Sequence, residues 1–266
     1  MLRPTVFASL ACWVLASGCA TGGAPLAGGR LVDLTHAFGA ETIYWPTESG
    51  FELERGFEGR TEAGYWYASH RFRSAEHGGT HLDAPIHFSE GRSTVDAIDL
   101  ERLVAPGVLV DVSDACARDR DHAVGVGELE GWEARHGRIP EGAIVLLRTG
   151  FGARWPDRAR YLGTAARGAG AVPDLHFPGL GPEAARWLAE ERRVAAVGID
   201  TASIDPGQST LFESHQELFA REVPAFENLA ALERLPATGF TVVALPMKIR
   251  GGSGAPLRAV AILPAR

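Results

Sequence analysis

Cysteine is scarce in this chain of 266 residues, which contains only Cys12, Cys19 and Cys116. The first two lie in an apolar N-terminal segment, so the remaining body of the protein holds Cys116 alone. A single cysteine excludes an intramolecular disulfide there. The fold must therefore be held by its hydrophobic core, and a chain of this length is long enough to form one.

Clusters of positive charge and several common catalytic motifs are also lacking. The net charge of −7 and the dispersed Lys and Arg residues argue against a nucleic-acid-binding protein. The chain has neither the H-E-x-x-H motif of zinc peptidases nor a P-loop. The segment GGSGA at 251–255 is not the G-x-S-x-G nucleophile elbow, because the glycine after the serine comes one residue too early.

The N-terminus has an apolar run that is too short to span a bilayer. Arg3 precedes this run, which extends through Ala16 and is typical of a secretory signal. The following residues, LASGC, resemble a bacterial lipobox in which Cys19 is lipidated; cleavage by ordinary signal peptidase is the alternative. We therefore predict an exported bacterial lipoprotein, anchored at the periplasmic side of the membrane or at the cell surface. Its segments are a signal peptide with a lipobox at 1–19, a flexible linker at 20–29 and a folded domain at 30–266.

Short apolar runs in the body of the chain predict buried β-strands. They lie at 31–35, 108–112, 144–149, 194–200, 241–247 and 259–263. Helices are predicted at 126–137, 181–193 and 215–223. Pro182 suits the first position of the second helix, and Gly137 suits the C-terminal cap of the first. Without an internal repeat or a second linker, this mixture predicts one α/β domain with a mixed β-sheet and flanking helices.

The segment HGGTHLDAPIH at 77–87 concentrates three histidines and one aspartate within eleven residues. His77, His81, Asp83 and His87 occupy odd positions, so an extended chain would place them on one face. The glycine pair and the proline disfavour a regular helix. Because imidazole and carboxylate groups bind zinc and manganese, we interpret the segment as half of a metal site. The alternatives are solvated loop histidines and, for His87, a side chain that caps the core.

This segment resembles the signature H-x-G-T-H-x-D-x-P-x-H of the metal-dependent cyclase family, which includes bacterial kynurenine formamidases (arylformamidases) and isatin hydrolases. Every specified position of the signature is present. The resemblance implies a domain of the family's swivelling β/β/α type, with His77, His81 and Asp83 as metal ligands and His87 as the catalytic acid/base. Further blocks similar to the family's lie at 33–36, 146–151, 177–180, 198–207 and 245–262.

The resemblance also implies where the rest of the site is encoded. The family places a histidine and a glutamate twelve residues apart in the C-terminal half, and His215 and Glu227 have this spacing. One or two Zn or Mn ions are implied, with Asp83 bridging them if two are bound. From the sequence alone, His215 is equally well a residue at a helix start, and Glu227 reads as a surface charge.

These residues predict metal-dependent hydrolysis of a non-peptide C–N bond. A bound divalent cation lowers the pKa of its water from 15.7 towards about 7, and His87 would pass a proton to the departing nitrogen. The resemblance implies arylformamidase activity as the lead reaction, in which N-formylkynurenine and water give kynurenine and formate in tryptophan catabolism. A cyclic amide or lactam such as isatin is the alternative substrate. A non-catalytic, exported metal- or ligand-binding lipoprotein is an alternative of a different class.

Other residues allow more than one interpretation. Tyr44, Trp45 and Trp66 are candidates to line a pocket for a planar amide or lactam, although aromatic residues more often pack in a core. Three polar residues follow the predicted strand at 194–200: Asp200, Ser203 and Asp205. Asp200 is a candidate to orient a ligand or substrate, and capping of a helix or turn is the alternative for the group. The resemblance further implies a homo-oligomer, and no nucleic-acid partner is expected.

Overall fold

The computed structural model of the protein describes residues 29–265. The predicted signal peptide, the lipid site at Cys19 and residues 20–28 of the predicted linker lie outside the described residues. None of the helices in the described range has the length and apolar character that a membrane span requires.

Twelve strands and five α-helices form within the described range. The strands are β1 (Arg30–Asp33), β2 (Glu52–Arg60), β3 (Trp66–Arg73), β4 (His81–Asp83), β5 (Val104–Asp111), β6 (Ala123–Val124), β7 (Ile144–Arg148), β8 (Gly179–Leu180), β9 (Ala196–Ile199), β10 (Ala225–Glu227), β11 (Phe240–Pro246) and β12 (Gly254–Leu263). The helices are α1 (Ser113–Arg118), α2 (Val126–His136), α3 (Arg158–Leu162), α4 (Pro182–Glu190) and α5 (Glu213–Phe219).

Seven of these strands form a mixed sheet that closes on itself like a barrel. The strands β5, β7, β9 and β10 are parallel neighbours in that order. The antiparallel strands β11, β12 and β4 complete the ring, because β4 pairs with both β12 and β10. Strand β1 pairs with the far end of β12. Closure leaves few unpaired strand edges. It also places β4, from the N-terminal half of the chain, beside β10, from the C-terminal half.

Alternate residues of the central strands contribute to two separate hydrophobic clusters. On β7, Ile144 and Leu146 belong to the cluster formed by the side chains of β1, β11 and β12, whereas Val145 and Leu147 pack towards the helices. The cluster that contains Val145 and Leu147 also includes buried residues of α2, α4 and α5. Strands covered on both faces read as continuous apolar runs, which explains why β7 and β9 were recognisable in the sequence.

The predicted mixed α/β domain is confirmed, and each of the six predicted strands and three predicted helices has a counterpart in the structure. The closure of the sheet was not predicted. Neither were the three-residue strands β4 and β10, nor the hairpin formed by β2 and β3. The more detailed swivelling β/β/α classification stays a prediction.

Candidate metal centre and active site

The segment 77–87 borders a cavity of about 210 Å³. It shares the cavity walls with residues from β10, from α5 and from the loops after β1 and β9. All six residues predicted for metal binding and catalysis line this cavity. His77 lies between β3 and β4. The lining residues are Ile43, Tyr44, Trp45, Glu48, His77, Gly78, His81, Asp83, His87, Phe88, Ala202, Ser203, Phe212, His215, Glu227 and Asn228.

Strand pairing brings the two halves of the site together. His81 lies directly opposite Glu227 in the antiparallel pair of β4 and β10, so their side chains share one face of the sheet. Asp83 is two residues further along β4 and projects from the same face. On the other side of β4, Gly254 pairs with Asp83. A Cβ atom at Gly254 would lie 2.5 Å from His77 Cε1, so this position requires glycine to admit the imidazole.

Helix α5 adds His215 to this group. Its Nε2 atom lies 3.2 Å from Asp83 Oδ2 and 3.2 Å from Glu227 Oε1. On the opposite side, His81 Nε2 lies 3.0 Å from Asp83 Oδ1 and 3.5 Å from Glu227 Oε2. Two imidazole nitrogens thus alternate with two carboxylates, and all four residues are at most 3 % exposed.

The donor set fits a divalent cation. Ligand atoms about 2.1 Å from a common ion lie about 3.0–3.4 Å from one another, which is close to the separations found here. The second ring nitrogen of each histidine has its own acceptor, since His81 Nδ1 lies 3.0 Å from the Gly79 carbonyl and His215 Nδ1 lies 2.5 Å from Asp205 Oδ2. Such contacts orient Nε2 as a metal ligand.

His77 joins the same carboxylate from a more open position. Its Nδ1 atom lies 2.5 Å from Asp83 Oδ1, and its Nε2 atom lies 2.9 Å from Ser253 Oγ. The Ser253 hydroxyl donates to Glu76 Oε2 at 2.6 Å, so Nε2 of His77 donates to Ser253. This network leaves the Nδ1 lone pair facing a carboxylate oxygen. Two acceptors at this distance need a proton or a cation between them, which supports His77 as a ligand.

The charges of the buried group depend on one another. Burial opposes protonation of His81, but the carboxylates of Asp83 and Glu227 outweigh it and raise the pKa of His81 to about 9. Burial likewise opposes protonation of His215, yet its hydrogen bonds to Asp205, Asp83 and Glu227 hold its pKa well above the ordinary value. In the absence of a metal, protonated imidazoles therefore neutralise the carboxylates. A divalent cation would take over this role and release the protons.

His87 differs from the other three histidines. It ends the short 3₁₀ turn Pro85–His87 and stacks on His77, with ring centroids 3.7 Å apart and planes 15° apart. Burial lowers the pKa of His87 to about 4. The ring is therefore neutral at neutral pH, which is the form that accepts a proton. One atom each of His77, Asp83 and His87 lie within 4.8 Å of one another, so His87 sits at the edge of the same centre.

The aromatic predictions divide. Tyr44 and Trp45 line the cavity, and Trp45 contacts the rings of Phe177 and Phe212. Trp66 is not brought to the cavity, because it lies on β3 of the hairpin with 63 % of its surface exposed. The sequence provided no helical or strand pattern that would have separated Trp66 from the other two.

The polar residues after β9 also take different roles. Asp200 accepts hydrogen bonds from Thr149 and from the backbone amides of Gly150 and Gly152, so it caps the turn after β7. Asp205 instead accepts from the His215 backbone amide and orients the His215 ring. The sequence pointed to Asp200 rather than Asp205 as the residue that orients a ligand, because the nine residues between Asp205 and His215 conceal their contact.

Asp205→Asn is expected to weaken metal binding by about 10–100-fold, because loss of the partner carboxylate frees the imidazole of His215 to reorient. Competition with a chromogenic chelator would measure the change. The matched control is Asp121→Asn, which alters a similar pair with His176 outside the cavity, at 2.7 Å. Equal affinities for the Asp205 variant and the wild type would contradict the assigned role.

Comparisons with known proteins agree with this arrangement. Residues 32–206 match the model of a family described as "Putative cyclase". An isatin hydrolase of Roseibium aggregatum is 34 % identical over 197 residues, which are 71 % of this chain and 72 % of the relative. A kynurenine formamidase of Bacillus cereus is 27 % identical over 231 residues, which are 86 % of this chain and 95 % of the relative.

A solved structure extends the similarity to the fold. Isatin hydrolase A from Labrenzia aggregata, bound to benzyl benzoate, superposes with a TM-score of 0.79 at 35 % identity. The match covers 89 % of this chain and 94 % of that one. The resemblance predicted from segment 77–87 is thereby confirmed, and this chain belongs to the cyclase family.

Proposed function

We propose that this protein is a metal-dependent hydrolase that cleaves the amide C–N bond of a small aromatic substrate, with arylformamidase-like cleavage of N-formylkynurenine as the lead reaction. The observation that carries the proposal is the buried ring of alternating nitrogen and oxygen atoms from His81, Asp83, His215 and Glu227. The names of two relatives, isatin hydrolase and kynurenine formamidase, support the reaction class.

Each group near the cavity has a place in this reaction. His77, His81, Asp83, His215 and Glu227 would hold one or two Zn or Mn ions. When bound, such an ion supplies a Lewis acid and lowers the pKa of water at the site. The neutral His87 ring takes a proton from the attacking water and delivers it to the departing nitrogen. The aromatic walls of the cavity exclude bulk water and offer flat surfaces to a planar substrate: Trp45, Phe88 and Phe212.

The charge of the cavity favours a second candidate, hydrolysis of an uncharged cyclic amide such as isatin. Among the described residues no Lys or Arg lines the cavity, whereas Glu48 does. N-Formylkynurenine carries an α-ammonium group, which could pair with Glu48, and a carboxylate, which would find no cationic side chain in these walls. Isatin carries no charge, so its transfer into the cavity leaves no buried ion without a partner.

A substrate panel tests both candidates. We expect the metal-loaded protein to hydrolyse formanilide, N-formylkynurenine and isatin to different extents, and we expect thorough chelation to remove all three activities. Liquid chromatography of the products would follow each reaction. Undiminished turnover after chelation would refute metal dependence, and binding of metal without turnover of any amide would favour the non-catalytic alternative.

We also propose that the protein forms a homo-oligomer through the hairpin of β2 and β3. Both faces of this hairpin are exposed, and it presents several large apolar side chains: Leu53, Phe57, Trp66, Tyr67 and Phe72. An isolated two-stranded hairpin is marginally stable in water, and apolar patches of this kind mark interfaces. A second copy of this chain, packed against the hairpin, would stabilise the two strands and cover their apolar side chains.

Replacing Phe57 and Trp66 by Ser is therefore expected to shift the protein from an oligomer to a monomer. Light scattering coupled to size-exclusion chromatography measures the mass directly. Leu211→Ser is a suitable control, because this residue is similarly exposed (63 %) but lies outside the hairpin. A wild-type protein that is monomeric at high micromolar concentration would refute the proposal.

A further inference from the structure

Asn228 lies directly after Glu227 and lines the same cavity. It is only 2 % exposed, and its φ of 53° is in the left-handed region. Non-glycine residues rarely adopt this conformation, although asparagine tolerates it better than most. Such backbone conformations persist where the surrounding contacts hold them, and they are frequent at active sites. Strand β10 ends at Glu227, so this conformation occurs where the chain leaves the sheet beside the cavity.

Three hydrogen bonds fix this residue. Its backbone amide donates to the Thr201 carbonyl at 2.8 Å, and its carbonyl accepts from the Thr80 hydroxyl at 2.7 Å. Its side-chain Oδ1 atom accepts from the Tyr161 hydroxyl at 2.9 Å. The same hydroxyl lies 3.2 Å from the Asp200 carbonyl. Burial raises the pKa of Tyr161 well above its ordinary value, so the phenol remains a donor.

The contact with Tyr161 determines which end of the amide faces the substrate. Because Oδ1 is occupied, the donor group Nδ2 is the end that remains. Within residues 29–265, Nδ2 has no hydrogen-bond acceptor, and it is not among the fully enclosed polar atoms that lack a partner. Because Asn228 is only 2 % exposed and lines the cavity, the cavity is the space that Nδ2 can reach, and we infer that Nδ2 is an oriented donor towards the substrate.

We propose that Asn228 Nδ2 donates a hydrogen bond to the carbonyl oxygen of the amide substrate and stabilises the negative charge that develops there. This inference rests on the proposed hydrolase function. As the oxygen of water bonds to the carbonyl carbon, the π electron pair moves to the carbonyl oxygen beside Nδ2. His87 accepts the proton that the water loses. When the carbonyl re-forms, the C–N bond breaks and the nitrogen takes this proton from His87. Asn228 is thus a catalytic residue that acts beside the metal group and His87.

Two variants test this role in the metal-loaded, full-length protein. Asn228→Gly removes the amide and keeps a residue that adopts positive φ without strain. Asn228→Asp keeps the shape and removes the donor. For both, kcat on formanilide or isatin is expected to fall by about 10²–10³-fold, as for other donors to a developing oxyanion. Metal content is expected to stay unchanged.

A binding measurement separates catalysis from general damage to the pocket. Calorimetry measures the affinity for oxindole, which is a stable lactam. This affinity is expected to fall by no more than about tenfold in the Asn228 variants, because a hydrogen bond to a neutral carbonyl contributes little. Tyr161→Phe is a graded comparison, since it leaves the donor present but less well oriented, and kcat should fall less than in either Asn228 variant.

Several results would overturn the inference. If Asn228→Gly retains kcat within threefold of the wild type, the donor is not used, even if Asn228→Asp is impaired by its added charge. If oxindole affinity and kcat fall in parallel, the residue serves only to bind. If the wild type hydrolyses no amide, the proposed function itself fails, and this inference fails with it.

Discussion

His81→Ala is expected to abolish metal-dependent activity. Removal of a central nitrogen ligand should weaken metal binding beyond the 10–100-fold typical of changes in the groups that only orient ligands. Activity at limiting metal should therefore fall below about 1 % of the wild type. Elemental analysis after desalting and turnover of the best amide substrate measure the two effects separately. The control is His136→Ala, an exposed residue at the end of α2 that lies outside the cavity.

The same variant should also change the stability of the metal-free protein. Because the pKa of His81 is about 9, its imidazolium compensates the buried carboxylates of Asp83 and Glu227 at pH 7. Breaking a buried pair by removing one partner costs about 3–5 kcal/mol. This contribution is fully present below pH 6.5 and is lost as the pH rises through about 9.

Urea unfolding of the metal-free proteins at pH 6 and pH 10 measures this effect. The difference in stability between wild type and His81→Ala should be large at the lower pH and smaller at the higher one. A variant that retains metal and activity would refute the metal centre. Equal stability differences at both pH values would refute the assigned charge of His81.

His87→Ala is expected to lower kcat by about 10²–10⁴-fold while metal remains bound. The physical reason is that the neutral ring beside the ligands is the group positioned to move the proton between water and the departing nitrogen. Burial holds its pKa at about 4, and a nearby bound cation would also favour the neutral form. Single-turnover kinetics with a poor and a good leaving group would show the larger loss for the poor one.

Metal content distinguishes this role from ligation. If His87→Ala loses metal together with activity, His87 belongs with the ligands rather than with the proton carriers. His87→Gln keeps a polar side chain of similar length and should retain metal while it remains slow. A Gln variant with wild-type kcat would show that proton transfer at this position is unnecessary.

The main strands of the sheet were predictable because their residues are buried on both faces. The continuous apolar runs of β7 and β9 are the direct consequence, since neither face meets water. The two strands that hold three of the six site residues were not predictable. Each of β4 and β10 has three residues, and each carries ionisable side chains where a buried strand normally has apolar ones.

The same contrast applies to individual site residues. Segment 77–87 could be assigned to a metal site because its ligands are close together along the chain. His215 and Glu227 lacked local evidence, and the resemblance alone suggested them. Asp205 and Asn228 had no such support, because their roles depend on contacts with His215 and Tyr161 that no spacing rule describes.

The sequence by itself determined the chemical character of this protein. The density of histidine and aspartate at 77–87, the single cysteine in the body and the apolar runs specified a metal-binding α/β domain held by its core. The tertiary structure decided which distant side chains complete the centre and what surrounds it. Closure of the sheet places Glu227 opposite His81, and helix α5 adds His215. The physical reason is that a metal centre depends on distances of about 3 Å between atoms, whereas the sequence records only separations along the chain.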